Sequence, residues 1–370
     1  MKTKKMLFIC FILIIAGTFS VSALDVKGKA PTFKGYNTIA VDAINEKLKD
    51  FFDEAINELK DDVGDIKSKP EDLIKSFGNS SIFASHGATQ RAYGGYDLFA
   101  VTFGAMVGLQ LPSSPFNIMD DMEDMTDNLN DEGDIKMGLN PQILNARIGI
   151  NTSKFLVEGL YLGLHFGTMK LNMDSMVEGF EFNSFSLGAT ANYQLFSHKK
   201  IAGGLLLWRG LNLGSGFIYQ KTNLSIPYSL GSITQDESGL SLVIDPEILF
   251  DIQIKTVTIP LEAVTSVRLL YFLNLSLGAG VDLGFGKSKM DLSMFGDVAV
   301  KGAQTQQPGV EPDKKGNISV NAGGDMSPRF FNPKLITGVG FSLGPVIIDI
   351  PITFYLGNGY NMGVTLGVVW

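Results

Sequence analysis

Apolar residues alternate with small or polar residues in several long stretches of the chain. In residues 273–286, Leu, Ala, Val and Phe occupy the odd positions, and Asn, Ser, Gly and Asp occupy the even ones. The same pattern recurs over residues 99–111, 160–167, 185–195 and 360–370. Because a period of two places the apolar side chains on one face of a β-strand, each stretch predicts an amphipathic strand.

These predicted strands are long, and their polar faces carry little charge. Weaker alternation extends the pattern to five further stretches: 142–151, 202–226, 251–270, 331–343 and 346–356. Most runs reach the length of about ten residues that a tilted strand needs to cross a bilayer. Gly, Ser, Thr and Asn are typical of the inside of a membrane barrel, whereas a soluble β-sandwich would carry Lys, Glu and Arg on its outside. We therefore expect an all-β membrane protein, an antiparallel transmembrane β-barrel, rather than a secreted soluble β-domain.

The strand number depends on residues 240–270. Bacterial barrels usually have an even number of strands with both termini in the periplasm. Counts from the two ends meet in this stretch, where one strand gives a barrel of ten strands and three give twelve, with fourteen as the upper alternative. Pro246 and Pro260 interrupt the stretch, and proline is disfavoured in central ladders. Arg209 falls on an apolar parity, which predicts either a bulge or a position near the membrane surface.

The N-terminus reads as a secretory signal peptide. A basic segment, MKTKK, precedes the apolar run MLFICFILIIAGTFS, and the small residues VSA end at Ala23. We expect cleavage after Ala23, which removes Cys10, the only cysteine of the sequence. The predicted organisation is therefore a signal peptide over 1–23, a helical segment over 24–92 and the barrel over 93–370.

The helical segment has an apolar face at steps of three and four residues, which predicts an amphipathic helix that Pro70 ends. This face comprises Ile44, Leu48, Phe51, Phe52, Ile56, Leu59 and Val63. Two locations are open: a plug in the lumen, or a periplasmic segment below the barrel. Glycines on the inward parity of the strands leave room for a plug, although they would also serve barrel curvature.

Composition and charge limit the classes of partner that we expect for this chain. Only 18% of residues are charged, and the whole chain has a net charge of −8. Loss of Lys2, Lys4 and Lys5 with the leader makes the remaining chain still more acidic. An acidic chain argues against nucleic acid or anionic lipid headgroups as partners.

Candidate chemistry is sparse. The inward parity carries a few polar or charged groups that we expect to line the lumen: Arg147, His165, Glu262, Arg268 and Asp282. The histidines His86, His165 and His198 do not form a metal-binding motif. The acidic stretch 119–134 departs from a calcium-binding loop, because Leu139 stands where the bidentate Glu belongs. We expect no enzyme activity, no metal and no cofactor.

The signal peptide, the repeated alternations and the ending YNMGVTLGVVW resemble bacterial outer-membrane β-barrel proteins. The resemblance implies an insertion signal in the last strand that the outer-membrane insertion machinery reads: Tyr360, Met362, Val364, Leu366, Val368 and Trp370. The composition is similar to that of uncharacterised spirochaete outer-membrane proteins. Helices before a barrel are similar in outline to the long-chain fatty-acid transporters, although GNSSIFASHGATQ (78–90) lacks their Asn-Pro-Ala motif.

These expectations favour a porin-like outer-membrane protein of a Gram-negative or other diderm bacterium. Its function would be that of a plugged channel or transporter for small or hydrophobic solutes. The alternative is a surface-exposed adhesin or structural barrel that acts through loops 112–140 and 301–330. The expected partners are outer-membrane lipid, the insertion machinery and a solute, and not nucleic acid.

Overall fold

The computed structural model describes residues 25–64, 70–85, 96–111, 137–172, 179–229, 232–237, 240–302 and 309–370. Most of these residues lie in antiparallel strands, and two helices precede the barrel: α1 (Thr38–Gly64) and α2 (Pro70–Ser85). Neither helix in the described part is long and apolar enough to cross a membrane. The predicted signal peptide lies outside the described residues.

The described strands lie in the following order along the chain. They are β1 (Asp25–Lys29), β2 (Thr32–Lys34), β3 (Phe99–Gln110), β4 (Gly138–Asn151), β5 (Leu160–Asn172), β6 (Glu181–Phe196), β7 (Lys199–Ile201), β8 (Leu206–Ser229), β9 (Ile233–Glu237), β10 (Leu240–Leu269), β11 (Leu273–Gly302), β12 (Glu311–Lys314), β13 (Gly316–Met326), β14 (Phe331–Leu343), β15 (Val346–Tyr355) and β16 (Gly359–Val369).

Ten of the described strands close into a ring, which confirms the predicted barrel. The ring runs β3, β4, β5, β6, β8, β10, β11, β14, β15 and β16, and β16 pairs again with β3. Residues 240–269 form one strand, so the count is ten and not twelve. Pro260 is accommodated inside β10, because the ladder with β8 skips Ile259 and Pro260 and keeps its register on both sides.

The barrel has two different ends. At the terminal end, β3 begins and the chain finishes, and Trp370 N donates to Phe99 O at 2.9 Å. At the opposite, far end, β10 and β11 continue beyond the other barrel strands, each being 30 residues long. There they pair with β9 and β13, and β13 pairs with β1. We call β1, β9, β13 and the parts of β8, β10 and β11 that continue beyond the other barrel strands the extension.

The outer face of the barrel is apolar over a band of defined height. Large apolar side chains are exposed all round it, such as Leu164, Leu187, Leu277 and Leu366. Phe331 and Phe341 mark the two edges of the band on β14, and both are exposed. Strand geometry puts them about 33 Å apart along the strand, or about 25 Å along the barrel axis at a usual tilt. This height matches the apolar band of a transmembrane barrel.

Arg209 lies at a bulge near the terminal end. The register between β8 and β10 shifts between the pairs Thr265–Leu211 and Val267–Trp208, so β8 has one extra residue there. Gly210 has φ 80°, a conformation that favours glycine. Both predicted explanations therefore apply, since the bulge takes Arg209 off the apolar parity and the terminal end places it near the edge of the band.

Helix α1 packs on the extension and not in the lumen. Asn37 caps its start, as Ala40 N donates to Asn37 Oδ1 at 3.3 Å. Its buried side chains Leu48 and Phe52 share a core with Val298 of β11 and Ile318 of β13. The segment 24–92 is also not helical throughout, because it begins with β1 and β2. Helix α1 therefore lies at the far end of the barrel.

The predicted surface loop 301–330 contains regular structure. Strand β13 lies within it and pairs with β11 from Ser288 to Val298, and β12 pairs with β2. The buried residues Ile318, Val320 and Ala322 alternate with polar ones, which is the signal that the loop interpretation overlooked. The acidic stretch 119–134 lies outside the described residues.

Candidate functional site: a helix inside the barrel lumen

Helix α2 occupies the far half of the lumen. Pro70 stands in the first turn with Glu71 and Asp72, which favours a helix start at this point. Leu73 and Ile74 pack on an apolar patch of the inner wall that includes Ile252 and Met290. The rest of the helix combines small polar residues with the fully buried Ile82 and Phe83, and most of it is buried against the wall.

Hydrogen bonds join α2 to several strands of the wall. Asn79 Nδ2 donates to Gln110 Oε1 of β3 at 3.2 Å. Two hydroxyl pairs link the helix to β10, with 2.9 Å between Ser81 Oγ and Thr256 Oγ1 and 2.9 Å between Ser85 Oγ and Thr258 Oγ1. These contacts are neutral and polar, and each contributes about 0.5–1.5 kcal/mol net.

The C-terminal end of α2 is capped by the barrel. Asn361 Nδ2 of β16 donates to Phe83 O at 2.7 Å, which satisfies a carbonyl that has no partner within the helix. The Phe83 ring stacks on Tyr355 of β15, with 4.0 Å between the ring centroids. Thus β15 and β16, the last two strands of the sequence, hold the C-terminal end of the helix.

Glycines of the wall give the helix its space. A Cβ at Gly138 would lie 2.1 Å from Ser76 O, and one at Gly108 would lie 2.3 Å from Ser80 O. Both contacts are to the backbone of α2, so the helix approaches these strands more closely than any other residue would permit. The inward glycines therefore make room for a helix at these positions, as the plug hypothesis requires.

A buried group of charges lies beside the end of the helix. Lys334 Nζ is 2.5 Å from Asp282 Oδ1 and 2.5 Å from Glu262 Oε1. Tyr355 Oη donates to Asp282 Oδ2 at 2.7 Å, and the same tyrosine stacks on Phe83. This charged triad, Lys334, Asp282 and Glu262, joins β10, β11 and β14 and is linked to the helix through Tyr355.

Sequence reasoning placed Glu262 and Asp282 in the lumen but overlooked Lys334. The sequence could have placed Lys334 in the lumen, because it lies on the same parity of β14 as Asn332 and Ile336, which are buried. The ion pairs among Lys334, Asp282 and Glu262 could not be predicted from the sequence, since the three residues come from three separate strands.

A second polar cluster lines the opposite wall. The Arg147 guanidinium donates to Thr190 Oγ1, and His165 Nε2 is 2.9 Å from Ser186 Oγ. Arg147 and His165 are both buried. The structure thus brings these two predicted residues together, but it places them apart from Glu262 and Asp282.

Arg268, the remaining predicted lumen residue, lies separately. It is half-buried near the terminal end, on the inward parity of β10. A small cavity of about 10 Å³ nearby is lined by Ser266, Asn274 and Asp349 among others. At the rim of the same end, a wider groove of about 530 Å³ is lined by residues that include Tyr96, His198 and Arg209.

The other predicted residues fall in two places. Ile44, Leu48, Phe52 and Ile56 of α1 are buried, and Phe51 is partly buried, in the core of the extension. The side chains of Leu59 and Val63 lie outside the described part. In β16, Met362, Val364 and Leu366 are exposed on the outer face, Val368 is half-buried on it, and Trp370 beyond its end is exposed. Tyr360 departs from this pattern because it is buried.

Metal binding finds no support in the described residues. No group of three or more His, Cys, Asp or Glu side chains among them is arranged to hold an ion. The site is a helix in the lumen, held by neutral hydrogen bonds and apolar contacts, with the charged triad on one wall and the polar cluster of Arg147 and His165 on the opposite wall.

A family model described as Lsa36-like matches residues 33–370. The chain belongs to the Lsa36-like family. No curated protein matches this Lsa36-like chain.

Several solved outer-membrane barrels are similar to the Lsa36-like chain. The translocator domain of the autotransporter NalP from Neisseria meningitidis is 9% identical, with a TM-score of 0.26 over 78% of this chain and 91% of that one. The CymD monoaromatic hydrocarbon channel is 9% identical, with a TM-score of 0.23 over 75% and 89%. A FadL homologue from Pseudomonas aeruginosa is 10% identical, with a TM-score of 0.21 over 80% and 95%. Likenesses this distant carry no argument about function.

Proposed function

We propose that this protein is an outer-membrane channel for small solutes that helix α2 keeps closed. The observation that carries the proposal is the position of α2, buried in the lumen and bonded to β3, β10 and β16. Neutral hydrogen bonds of this kind are weak enough to break and form again. A plug that leaves the lumen would open a path, and a plug that returns would close it.

The lining of the lumen favours hydrophilic solutes. Arg147, His165 and the charged triad all face inward, as do hydroxyl and amide side chains such as Ser186 and Asn192. An apolar solute would have to displace water from these groups at a cost in free energy. Of the solutes expected from the sequence, small polar ones therefore suit this lumen better than hydrophobic ones.

The orientation in the membrane follows from the connections. Barrels of the outer membrane have short periplasmic turns and longer external loops. The turns at the terminal end are short, such as the one between β14 and β15, whereas the connection from β3 to β4 at the far end spans residues 111–137. The terminal end would therefore face the periplasm. Strand β16, which carries the predicted insertion signal, would run from the outside to the periplasm.

This orientation places α1 outside the cell. A cysteine in place of Glu46 on the exposed side of α1 should react with a membrane-impermeant maleimide on intact cells. A cysteine in place of Lys199, at the terminal end, should react only after the outer membrane is permeabilised. The natural Cys10 lies in the predicted leader, so the parent protein is the unlabelled control. If intact cells label only the Lys199→Cys variant, the terminal end faces the outside and the proposed orientation is wrong.

The plug hypothesis can be tested by tying α2 to the wall. Ser81 Oγ and Thr256 Oγ1 are 2.9 Å apart, so cysteines at both positions should form a disulfide. In planar bilayers, the oxidised S81C/T256C protein should show no opening events, and a reductant should restore those of the parent. S81C and T256C alone are the matched controls, since neither can form the bond. If the parent itself never opens, or if the oxidised protein opens as often, the proposal fails.

A second function rests on the extension. Its outer face carries the exposed acidic residues Asp245, Glu247 and Asp297 around the exposed Phe295, and it stands beyond the apolar band. This arrangement favours a surface-interaction role, in which the barrel anchors the extension. Binding of a ligand to intact cells that survives the S81C/T256C lock, but is lost when trypsin cleaves at Lys314 or Lys315, would favour this role over transport.

A further inference from the structure

Three lysines form a row across the outer face of the barrel. Lys255 of β10 pairs in register with Lys221 of β8 on one side and with Lys287 of β11 on the other. All three side chains are exposed and lie on the outward parity of their strands. We call Lys221, Lys255 and Lys287 the lysine row.

The row lies where the apolar band ends at the far end of the barrel. Two residues nearer the terminal end, the same three strands carry Tyr219, Val257 and Phe285, also in register. Phe285 is exposed and contacts Phe330 edge to face, with 5.2 Å between the ring centroids. The lysines are therefore the first charged residues that a lipid would meet above its acyl chains on these strands.

The row concentrates like charge. Neighbouring strands are about 4.7–4.9 Å apart, and like charges directly opposite each other destabilise a sheet. Lys287 is 2.8 Å from Asp325, but Lys221 and Lys255 have no ion pair within the described residues. The nearest carboxylates on these strands, Asp251 and Asp291, lie further from the band. Folding alone gives no reason to place these cations side by side.

We propose that the lysine row binds phosphate groups of lipids in the surrounding leaflet. A phosphate between two ammonium groups would accept their hydrogen bonds and offset their repulsion. The acyl chains of the same lipid would pack on Tyr219, Val257 and Phe285. Although the whole chain is acidic at −8, the local charge at the membrane surface decides which lipid is held. The inference rests on the barrel spanning a bilayer and not on movement of α2.

The test measures lipid retention by the full chain. The parent and the triple variant K221Q/K255Q/K287Q are purified in a neutral detergent, mixed with phosphatidylglycerol or phosphatidylcholine, and analysed by native mass spectrometry. The parent should retain phosphatidylglycerol at least about tenfold more tightly than the variant does, as expected for removal of several surface cations. Phosphatidylcholine retention should be equal in both, because the choline cation already neutralises the phosphate of that lipid. The control variant K29Q/K47Q/K49Q loses the same charge on β1 and α1, and it should behave as the parent.

Three outcomes would overturn the proposal. Equal phosphatidylglycerol retention in the triple variant and the parent would exclude the row as the site. Equal loss in the control variant would mean that net charge and not position matters. Inorganic phosphate that displaces the lipid at equal concentration would mean a free-anion site. Heat-modifiable migration verifies that each variant folds, and K221R/K255R/K287R, which keeps the charge, should retain the lipid. Because no step requires conduction, failure here and failure of the channel proposal are separate results.

Discussion

Replacing Lys334 by Met should destabilise the barrel by about 3–5 kcal/mol, the usual effect of removing one partner from a buried ion pair. Lys334 is the shared partner of Asp282 and Glu262, and all three are buried. Without the ammonium group, both carboxylates remain in the wall with no opposite charge. Urea unfolding in lipid vesicles, followed by the loss of the compact form on gels, measures the change.

Two further variants separate pairing from general disturbance. Lys170→Met removes an exposed lysine from β5 and should change the stability by less than about 0.5 kcal/mol, as surface substitutions usually do. Adding E262Q and D282N to K334M removes the orphaned charges and should recover a large part of the loss. If K334M unfolds at the same urea concentration as Lys170→Met, the triad does not stabilise the barrel.

Alanine at Gly108 and Gly138 together should dislodge helix α2. The added Cβ atoms would lie 2.3 Å from Ser80 O and 2.1 Å from Ser76 O, and neither helix backbone atom can move alone. Overpacking of this kind costs about 1–3 kcal/mol at each site, comparable with the hydrogen bonds that hold the helix. We expect a higher baseline conductance in planar bilayers and a lower unfolding midpoint.

Gly324→Ala is the matched control for this pair. Its Cβ would also meet α2, but at 3.3 Å from Ile74 Cδ1, the movable end of a side chain. Its conductance should equal that of the parent. If the G108A/G138A protein conducts no more than Gly324→Ala, α2 accommodates the two added methyl groups. The position of α2 in the lumen would then not depend on its close approach to these glycines.

The candidate site was only partly predictable. Arg147, His165, Glu262 and Asp282 were assigned to the lumen from parity alone, and the structure places all four inward. Parity assigns a face to each residue but does not say which strands lie opposite. For that reason the triad with Lys334, and the separation of Arg147 and His165 onto another wall, required the register of the closed ring.

The helices illustrate the same limit. The strong amphipathic pattern of α1 drew the plug hypothesis, yet its apolar face packs on the extension beside Val298 and Ile318. Helix α2, in which the small residues GNSS precede the buried Ile82 and Phe83, lies in the lumen. Small polar side chains on α2 suit the polar parts of the lumen wall, whereas the apolar face of α1 packs on an apolar partner. The extension that supplies this partner was not predicted.

By itself, the sequence determined the barrel, because an alternation of period two is a local property that every strand carries in its own residues. It also determined the apolar exterior and the small inward residues that leave space for a helix. The tertiary structure alone decided that the ring has ten strands, that α2 fills it, and that Lys221, Lys255 and Lys287 stand in one row. Each of these depends on how strands distant in sequence pair, and pairing register is a property of the closed sheet and not of any single segment.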